Sequence, residues 1–154
     1  MEESEVKTVA RESPEVRECY PHFLRVPTRW MDNDVYGHVS NVVYYSYFDT
    51  VVNEYLIRSG VLDIETSSVI GLVVETLCRF FAPLTFPDTV HAGLRVARLG
   101  RSSVRYEIGL FRNDEGTAAA QGHFVHVYVE RESRKATTVP PEMRAALEKI
   151  LARK

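Results

Sequence analysis

The chain has 154 residues, 45% of them hydrophobic and 26% charged, which fits one globular domain that buries a core without disulfide staples. Its net charge of −2 at pH 7 and its two cysteines give no reason to expect nucleic acid, an anionic membrane or a disulfide framework. Because no apolar run suits a membrane span or a signal peptide, we expect a cytoplasmic protein.

The N-terminal part of the chain differs in composition from the rest. Residues 1–18 are rich in charge and lack apolar periodicity, which predicts a mobile tail before a single domain over residues 19–154. Residues 22–31 alternate between apolar and polar side chains, which predicts a strand. Pro27 cannot donate a ladder hydrogen bond, so this strand is expected at a sheet edge or with a bulge.

The longest predicted helix covers residues 41–59. Ser40 is a residue type that caps helix N-termini, and Gly60 is the type that ends helices in a left-handed conformation. Aromatic and aliphatic side chains fill most of the helix surface and leave one narrow polar stripe, so a wide face is expected to be buried. The helix is roughly 28 Å long, which is enough to lie across a whole sheet.

Period-two patterns separated by turn signals follow the helix. They predict strands over residues 69–82, 89–98, 103–112 and 117–130. His123 and His126 fall on opposite faces of the last strand and are expected to be structural. Short links allow only antiparallel neighbours, and Pro140–Pro141 begins a short C-terminal helix.

The order of these elements favours an α+β fold. In such a fold, one curved antiparallel sheet of about five strands packs on the long helix. The other face of the sheet also needs a cover, and a chain of this length has no second layer to supply it. We therefore expect a partner subunit on that face.

The most informative segment lies between the first strand and the long helix and reads MDNDVYGHVSN, residues 31–41. Its residue types suit an ordinary connecting turn, and that interpretation stays open. An EF-hand calcium site is excluded, because Val43 stands where the loop requires a bidentate Glu. Asp34 and His38 have no third ligand at a matching spacing, so no metal is expected.

Acyl chemistry is another interpretation of the same segment. A helix N-terminus carries unpaired N–H groups and a partial positive charge, and such groups stabilise the oxyanion that forms when a carbonyl is attacked. Asp34, on the loop entering this N-terminus, can attack the carbonyl or activate a water. A thiol pKa of about 8.5 makes protonation of a departing thiolate unnecessary. A thioester therefore suits these residues better than an ester or a peptide.

The segment resembles the opening motif of the 4-hydroxybenzoyl-CoA thioesterase-like group of the hotdog superfamily, D-x-D-x-x-G-H-V-x-N-x-x-Y. The matching residues are Asp32, Asp34, Gly37, His38, Val39, Asn41 and Tyr44. A second signature of that group, an aromatic, a proline and then a turn with Asp, is similar to FFAPLTFPDTV at residues 80–90. The resemblance covers residues 22–131 and departs from the motif at Ser40, where many relatives carry Asn.

The resemblance implies a hotdog fold and hydrolysis of an acyl-CoA thioester, with coenzyme A as part of the substrate and no cofactor. It also implies a homodimer or a dimer of dimers with active sites between subunits. By motif position, Asp34 is the catalytic carboxylate and the backbone N–H at Asn41 polarises the carbonyl. Gly37 and Tyr44 fall among the substrate-binding positions.

Five further residues are weaker candidates. In the family that the sequence resembles, a position related to Glu75 lines the acyl pocket. Glu75 is therefore either a residue that positions a water or an ordinary strand residue that faces solvent. His38 either shapes the loop or takes part in catalysis. Arg101, Ser102 and Ser103 offer a cation and two hydroxyls to the phosphates of coenzyme A, although an ordinary hairpin turn explains them equally well.

Two rival functions stay open at this point. One is a hotdog enoyl-thioester hydratase, whose usual D-x-N-P-x-H pattern the chain does not match, because no proline follows Asn33. The other is a non-catalytic acyl-thioester-binding protein, which Asp34 argues against. Release of free thiol, addition of water without thiol release, or neither would distinguish the three.

Overall fold

The computed structural model describes residues 13–152, which form one sheet and two α-helices. The strands are β1 (His22–Pro27), β2 (Val69–Phe80), β3 (Thr89–Leu99), β4 (Ser103–Arg112) and β5 (Ala120–Glu130), and the helices are α1 (Asn41–Arg58) and α2 (Pro141–Glu148). Single 3-10 turns cover Arg17–Cys19 and Trp30–Asp32. No helix in this part of the chain is long and apolar enough to cross a membrane.

The five strands pair in the order β1-β3-β4-β5-β2, and every pair is antiparallel. β1 lies at one edge of the sheet, as Pro27 predicted, and β2 lies at the other. The β2–β5 register shifts between Val73 and Glu75. The long helix, the curved antiparallel sheet and the short C-terminal helix confirm the predicted α+β hotdog architecture.

The core lies between α1 and one face of the sheet. The buried residues of α1 are Tyr44, Tyr47, Phe48, Val51, Val52 and Leu56. The inward faces predicted for β3 and β4 are fully buried, and they consist of Val90, Ala92, Leu94, Val96, Val104, Tyr106, Ile108 and Leu110. At the centre, the Phe48 and Phe124 ring centroids are 5.4 Å apart. Each such fully buried large side chain contributes roughly 1.5–3 kcal/mol to the stability of the fold.

The two ends of α1 are closed differently. At the C-terminal end, the Gly60 N–H donates to Ile57 O (3.0 Å) and the Val61 N–H donates to Leu56 O (3.1 Å). Gly60 has φ +74, the left-handed conformation that the sequence predicted, and these bonds form a Schellman closure. At the N-terminal end, Ser40 occupies the N-cap position, but its side chain makes no capping hydrogen bond.

Some predicted boundaries are wrong by a few residues. The first strand ends at Pro27 instead of residue 31, because the next N–H, that of Thr28, donates to Asp88 O (3.1 Å) outside the ladder. The last strand begins at Ala120 instead of residue 117. The final helix ends at Glu148, and Leu151 beyond it is 42% exposed.

The predicted tail falls only partly within the described residues, because residues 1–12 lie outside them. Residues 13–18 contact the sheet face opposite α1, where the Glu15 carboxylate pairs with the Arg95 guanidinium at 2.8 Å. Next to them, the Tyr20 ring lies on Gly109 of β4, where a Cβ atom would come 2.7 Å from the ring. The glycine lets the aromatic ring approach the sheet closely, so the chain itself covers part of this outer face.

The rest of the outer face carries paired charges. Arg95 also binds Glu107 at 2.8 Å, and His123 Nε2 lies 2.8 Å from a Glu75 carboxylate oxygen. Arg105 donates to His123 Nδ1 at 3.2 Å if that nitrogen is unprotonated. A face with these polar contacts does not require an apolar cover, and a partner subunit at this position stays a prediction.

The Schellman closure of α1 predicts the effect of substituting Gly60. Gly60→Ala places a side chain at φ +74, and we expect the free energy of unfolding to fall by about 1–2 kcal/mol. Gly116→Ala is the matched control, because Gly116 also has no atom near a new Cβ but lacks a left-handed φ. Chemical denaturation of both variants measures the difference, and equal stability of the two would contradict the assignment.

Candidate active site

Asp34 lies in a tight turn that leads from the Trp30–Asp32 3-10 turn to α1. The Gly37 N–H donates to Asp34 O (3.1 Å), and the Asp34 N–H donates to His38 O (2.8 Å). Gly37 has φ +82, a conformation that glycine adopts without strain. These bonds hold the turn in one conformation, so the position of Asp34 is defined by the backbone.

The Asp34 carboxylate uses one oxygen to support its own turn. Oδ1 accepts the N–H of Tyr36 at 2.8 Å, and within residues 13–152 the other oxygen, Oδ2, has no hydrogen-bond partner. The side chain is exposed to solvent. This carboxylate is thus oriented by one bond and keeps one oxygen available for a ligand or a water.

The N-terminus of α1 provides the second element of the site. The Ser40 side chain makes no capping bond, so no side chain of the described residues 13–152 caps the first N–H groups of the helix, which include that of Asn41. An 18-residue helix also brings the positive end of its dipole to this point. The combination provides hydrogen-bond donors for an oxygen atom that gains negative charge.

Asp34 and Asn41 line the same cleft, which has a volume of about 490 Å³. This size is typical of sites for small molecules. The other lining residues are Tyr36, His38, Val39, Tyr44, Phe80, Phe81, Ala82 and Pro83. The cleft therefore joins a free carboxylate, a helix N-terminus and a largely apolar wall from the end of β2.

Asp32 supports this loop from within the protein. Its side chain is 1% exposed and accepts the Arg29 N–H (2.8 Å) and the Tyr47 hydroxyl (2.9 Å) through Oδ2, and the Arg29 guanidinium through Oδ1. Burial opposes ionisation, but these donors together hold the pKa of Asp32 below its usual value. The Tyr47 contact fastens the loop to α1, so Asp32 supports the loop from within the core.

The loop is also bound to the segment after β2. Asn33 Oδ1 accepts the N–H of Phe86 (3.0 Å), and the Val39 N–H donates to Leu84 O (2.8 Å). The ring centroids of Trp30 and Phe86 are 6.0 Å apart. The two segments that match family signatures in the sequence are thus hydrogen-bonded to each other at one end of the sheet.

The structure brings most of the motif residues together. His38 lines the cleft with its exposed side chain, and Tyr44 lines it while packing against Phe80 at 4.8 Å between ring centroids. Gly37 shapes the turn but is not among the lining residues. The roles of these residues in substrate binding or catalysis stay predictions.

The other candidates lie away from the cleft within one chain. Glu75 points to the outer face and binds His123. Arg101, Ser102 and Ser103 lie at or beside the β3–β4 turn, where Ser103 pairs with Val127 of β5. The cleft is at the opposite end of β5, about 24 Å along the strand at roughly 3.4 Å per residue.

Some residues that build the site lie in or near the two signature segments but were not predicted individually. Tyr36, Phe81 and Ala82 line the cleft, and Tyr47 fixes Asp32. The sequence puts Tyr47 on the buried face of α1, four residues before Val51. It does not show that the Tyr47 hydroxyl binds Asp32. No group of three His, Cys, Asp or Glu side chains that could hold a metal ion occurs among residues 13–152.

Comparison with known proteins identifies related chains. Residues 26–147 of the chain match the thioesterase-like superfamily. The chain is 53% identical to the PA5185 protein of Pseudomonas aeruginosa strain PAO1, with a TM-score of 0.89 over 91% of this chain and 98% of that one.

Two further relatives widen this comparison. A thioesterase of Thermus thermophilus, whose structure contains coenzyme A and Zn, is 30% identical, with a TM-score of 0.74 over 89% of this chain and 98% of that one. The uncharacterized protein YsmA of Bacillus subtilis strain 168 is 25% identical over 133 residues, which are 86% of this chain and 89% of that protein.

The buried Asp32 carboxylate makes stability depend on pH. Because the folded-state pKa is lowered, its contribution is present above the unfolded pKa of about 3.9 and is lost as pH falls through the folded value. We expect Asp32→Asn to lower the free energy of unfolding by about 1–3 kcal/mol at pH 7 and by less at acid pH. Urea denaturation at both pH values measures this, and a constant difference would contradict the assigned role.

Proposed function

The chain belongs to the thioesterase-like superfamily, and on that premise we propose that it hydrolyses an acyl-CoA thioester to the free acid and coenzyme A. The observation that carries the proposal is the meeting of a free carboxylate oxygen of Asp34 and the uncapped N-terminus of α1 in one cleft. Coenzyme A in the Thermus thermophilus relative supports it as the thiol half of the substrate.

Asp34 acts in this proposal as the nucleophile or the general base. Its Oδ1 is held by the Tyr36 N–H, which leaves Oδ2 to attack the thioester carbonyl or to take a proton from an attacking water. A departing thiolate needs no proton donor, because the pKa of a thiol is about 8.5. Among residues 13–152, no second carboxylic acid lines the cleft, which is consistent with thioester chemistry.

The N-terminus of α1 acts on the carbonyl oxygen. As the tetrahedral intermediate forms, negative charge develops on that oxygen, and in this proposal the N–H at Asn41 donates to it. A preformed donor of this kind favours the transition state over the substrate, since the charge is largest there. The reaction needs only water and the thioester, so we propose no cofactor.

Replacing Asp34 tests this mechanism. Asp34→Asn keeps an oxygen for the Tyr36 N–H but removes the charge, so we expect the turnover number to fall by at least about 10²-fold with little change in KM. The measurement is steady-state thiol release across a panel of acyl-CoA thioesters, with a melting curve for each variant. Water addition without thiol release would favour a hydratase, and binding alone would favour a non-catalytic protein.

The chain offers a matched control for this substitution. Asp63 Oδ1 accepts the Glu65 N–H at 2.9 Å, the same local turn that Asp34 makes with Tyr36, but it lies outside the cleft. Asp63→Asn should leave turnover unchanged. If folded Asp34→Asn protein releases thiol at a rate near that of wild type, the proposed mechanism is wrong.

We further propose that the active form is a homodimer built on the β2 edge. β2 is 12 residues long and, among residues 13–152, pairs on one side only. Its side chains are unusually exposed, with Val73 at 48%, Val74 at 60% and Phe80 at 46%. An exposed apolar edge strand of this length is a template for pairing with another strand. A second copy related by a two-fold axis supplies an antiparallel partner.

Such a dimer explains the position of Arg101. Antiparallel pairing of two β2 strands places the Phe80 end of one chain beside the Val69 end of the other. Arg101 lies at the Val69 end of the sheet and the Asp34 cleft at the Phe80 end. The β3–β4 turn of one subunit is then directed toward the cleft of its partner, where a guanidinium suits the phosphates of coenzyme A.

Mixed dimers test the shared site. Arg101→Ala should raise KM and largely retain turnover, because a phosphate contact binds substrate and transition state alike. Co-expression of Asp34→Asn chains with Arg101→Ala chains should restore a component of activity with the wild-type KM. In the mixed dimer, one of the two sites combines an intact Asp34 with the intact Arg101 of the other subunit.

Two results would contradict the dimer proposal. A KM that stays fully raised in the co-expressed sample would place Arg101 with the Asp34 of its own chain or outside the site. Sedimentation at micromolar concentration that gives only a species of 17.6 kDa would show a monomer.

A further inference from the structure

A second, smaller cavity lies between α1 and β2. Its volume is about 80 Å³. Asp49 and Asn53 line it from α1, Gly71 and Val73 from β2, and His126 and Tyr128 from β5. Neither the motif residues nor the proposed reaction uses it.

His126 is the unexplained group in this cavity. Its side chain is 4% exposed, it makes no hydrogen bond within residues 13–152, and its Nε2 atom is buried without a partner. Aromatic rings surround it, with centroids of Tyr106 at 5.0 Å and Phe124 at 5.5 Å. A phenylalanine suits such surroundings without the cost of an unpaired polar atom. A purely structural role, as expected from the sequence, does not account for the imidazole.

Gly71 keeps the space beside the imidazole open. A Cβ atom at this position would lie 3.0 Å from His126 Nδ1 and 3.0 Å from Tyr128 Cε1. Both contacts are tighter than ordinary van der Waals packing, so a side chain here would press on the two rings. The absence of a side chain at Gly71 therefore leaves room beside Nδ1 of the imidazole.

The cavity lies in line with the Asp34 cleft. The cleft is lined by Asn41 of α1 and Phe80 of β2, whereas the cavity is lined by Asp49 of α1 and Val73 of β2. Both therefore occupy the same interface between helix and strand, with the helix and strand running in opposite directions. Eight residues of helix separate Asn41 from Asp49, which is about 12 Å. A medium-length acyl chain spans that distance.

The chemistry of the cavity selects the end of that chain. Burial lowers the pKa of His126 to about 4, so the imidazole is neutral near pH 7 and offers one donor and one acceptor. The Asp49 carboxyl group disfavours an anionic ligand. The cavity of about 80 Å³ is about half the size of one that holds benzene, which favours an aliphatic chain end over an aromatic ring.

We infer that His126 and Asp49 form a specificity site for a terminal hydroxyl group on an aliphatic acyl chain. A hydroxyl both donates and accepts a hydrogen bond, which satisfies the imidazole and the carboxylate together. This inference rests on the proposed thioester hydrolysis for its substrate. It adds that the acyl half is a medium-length hydroxyacyl chain, and that His126 discriminates it from the unsubstituted chain.

Thiol release tests the inference with straight-chain thioesters from hexanoyl- to dodecanoyl-CoA, each with and without a terminal hydroxyl. At the best length, wild-type protein should prefer the hydroxylated substrate by about tenfold in kcat/KM. His126→Phe should bring that ratio to about one. Dicarboxylyl and 4-hydroxybenzoyl thioesters should be poorer substrates than the hydroxyacyl thioester.

His123→Phe is the matched control, because His123 lies on the same strand and faces the outer side. It should keep the wild-type ratio. Gly71→Ala provides a second variant, which should reduce the preference by narrowing the cavity. A wild-type ratio near one, or a preference that survives in folded His126→Phe, would overturn the inference.

A binding experiment separates this inference from the proposed reaction. Imidazole nitrogen shifts of His126 are followed by NMR during titration with free hydroxydecanoate and, separately, decanoate. A change specific to the hydroxylated acid supports the site even if no thioester is hydrolysed, in which case only the proposed function fails. Equal responses to the two acids, or no response to either, would overturn the site whatever the enzyme assay shows.

Discussion

The burial of the aromatic face of α1 against the sheet is the interaction on which the other features depend. Phe48 is fully buried at its centre, and Tyr44 and Tyr47 extend the same face toward the N-terminus. Since these side chains have defined places between the strands, the helix cannot slide along the sheet without opening cavities. Its N-terminus is thereby fixed at the end of β2, where the cleft opens.

The same packing positions the loop that carries Asp32 and Asp34. Tyr47 belongs to the buried face of α1, yet its hydroxyl donates to Asp32 on the loop, so the core and the loop share one side chain. Two neighbouring carboxylates consequently have different environments. Asp32 is buried and fully bonded, which suits support, whereas Asp34 is exposed with one oxygen free among the described residues, which suits chemistry.

The outer face of the sheet and its β2 edge differ in how well the chain covers them. On the outer face, the Arg95 guanidinium is paired with two carboxylates, and the Tyr20 ring packs on glycine. The β2 edge has no such protection among the described residues, and it borders both the Asp34 cleft and the His126 cavity. A dimer at this edge, as proposed, would protect unpaired backbone groups and enclose the substrate at the same time.

The sequence by itself determined the order of the elements, the faces of β3 and β4, the closure of α1 at Gly60 and the place of Asp34 before a helix N-terminus, because periodicity, cap chemistry and motif spacing are local properties. Only the tertiary structure decided which side chains meet across elements. The order of the strands places Arg101 and Asp34 at opposite ends of the sheet. The side chains of β2 alternate between the two faces, and after the register shift Glu75 lies on the outer face. The isolation of His126 depends on rings from β4 and β5 and on Gly71 of β2, contacts between residues far apart in the chain that no local pattern encodes.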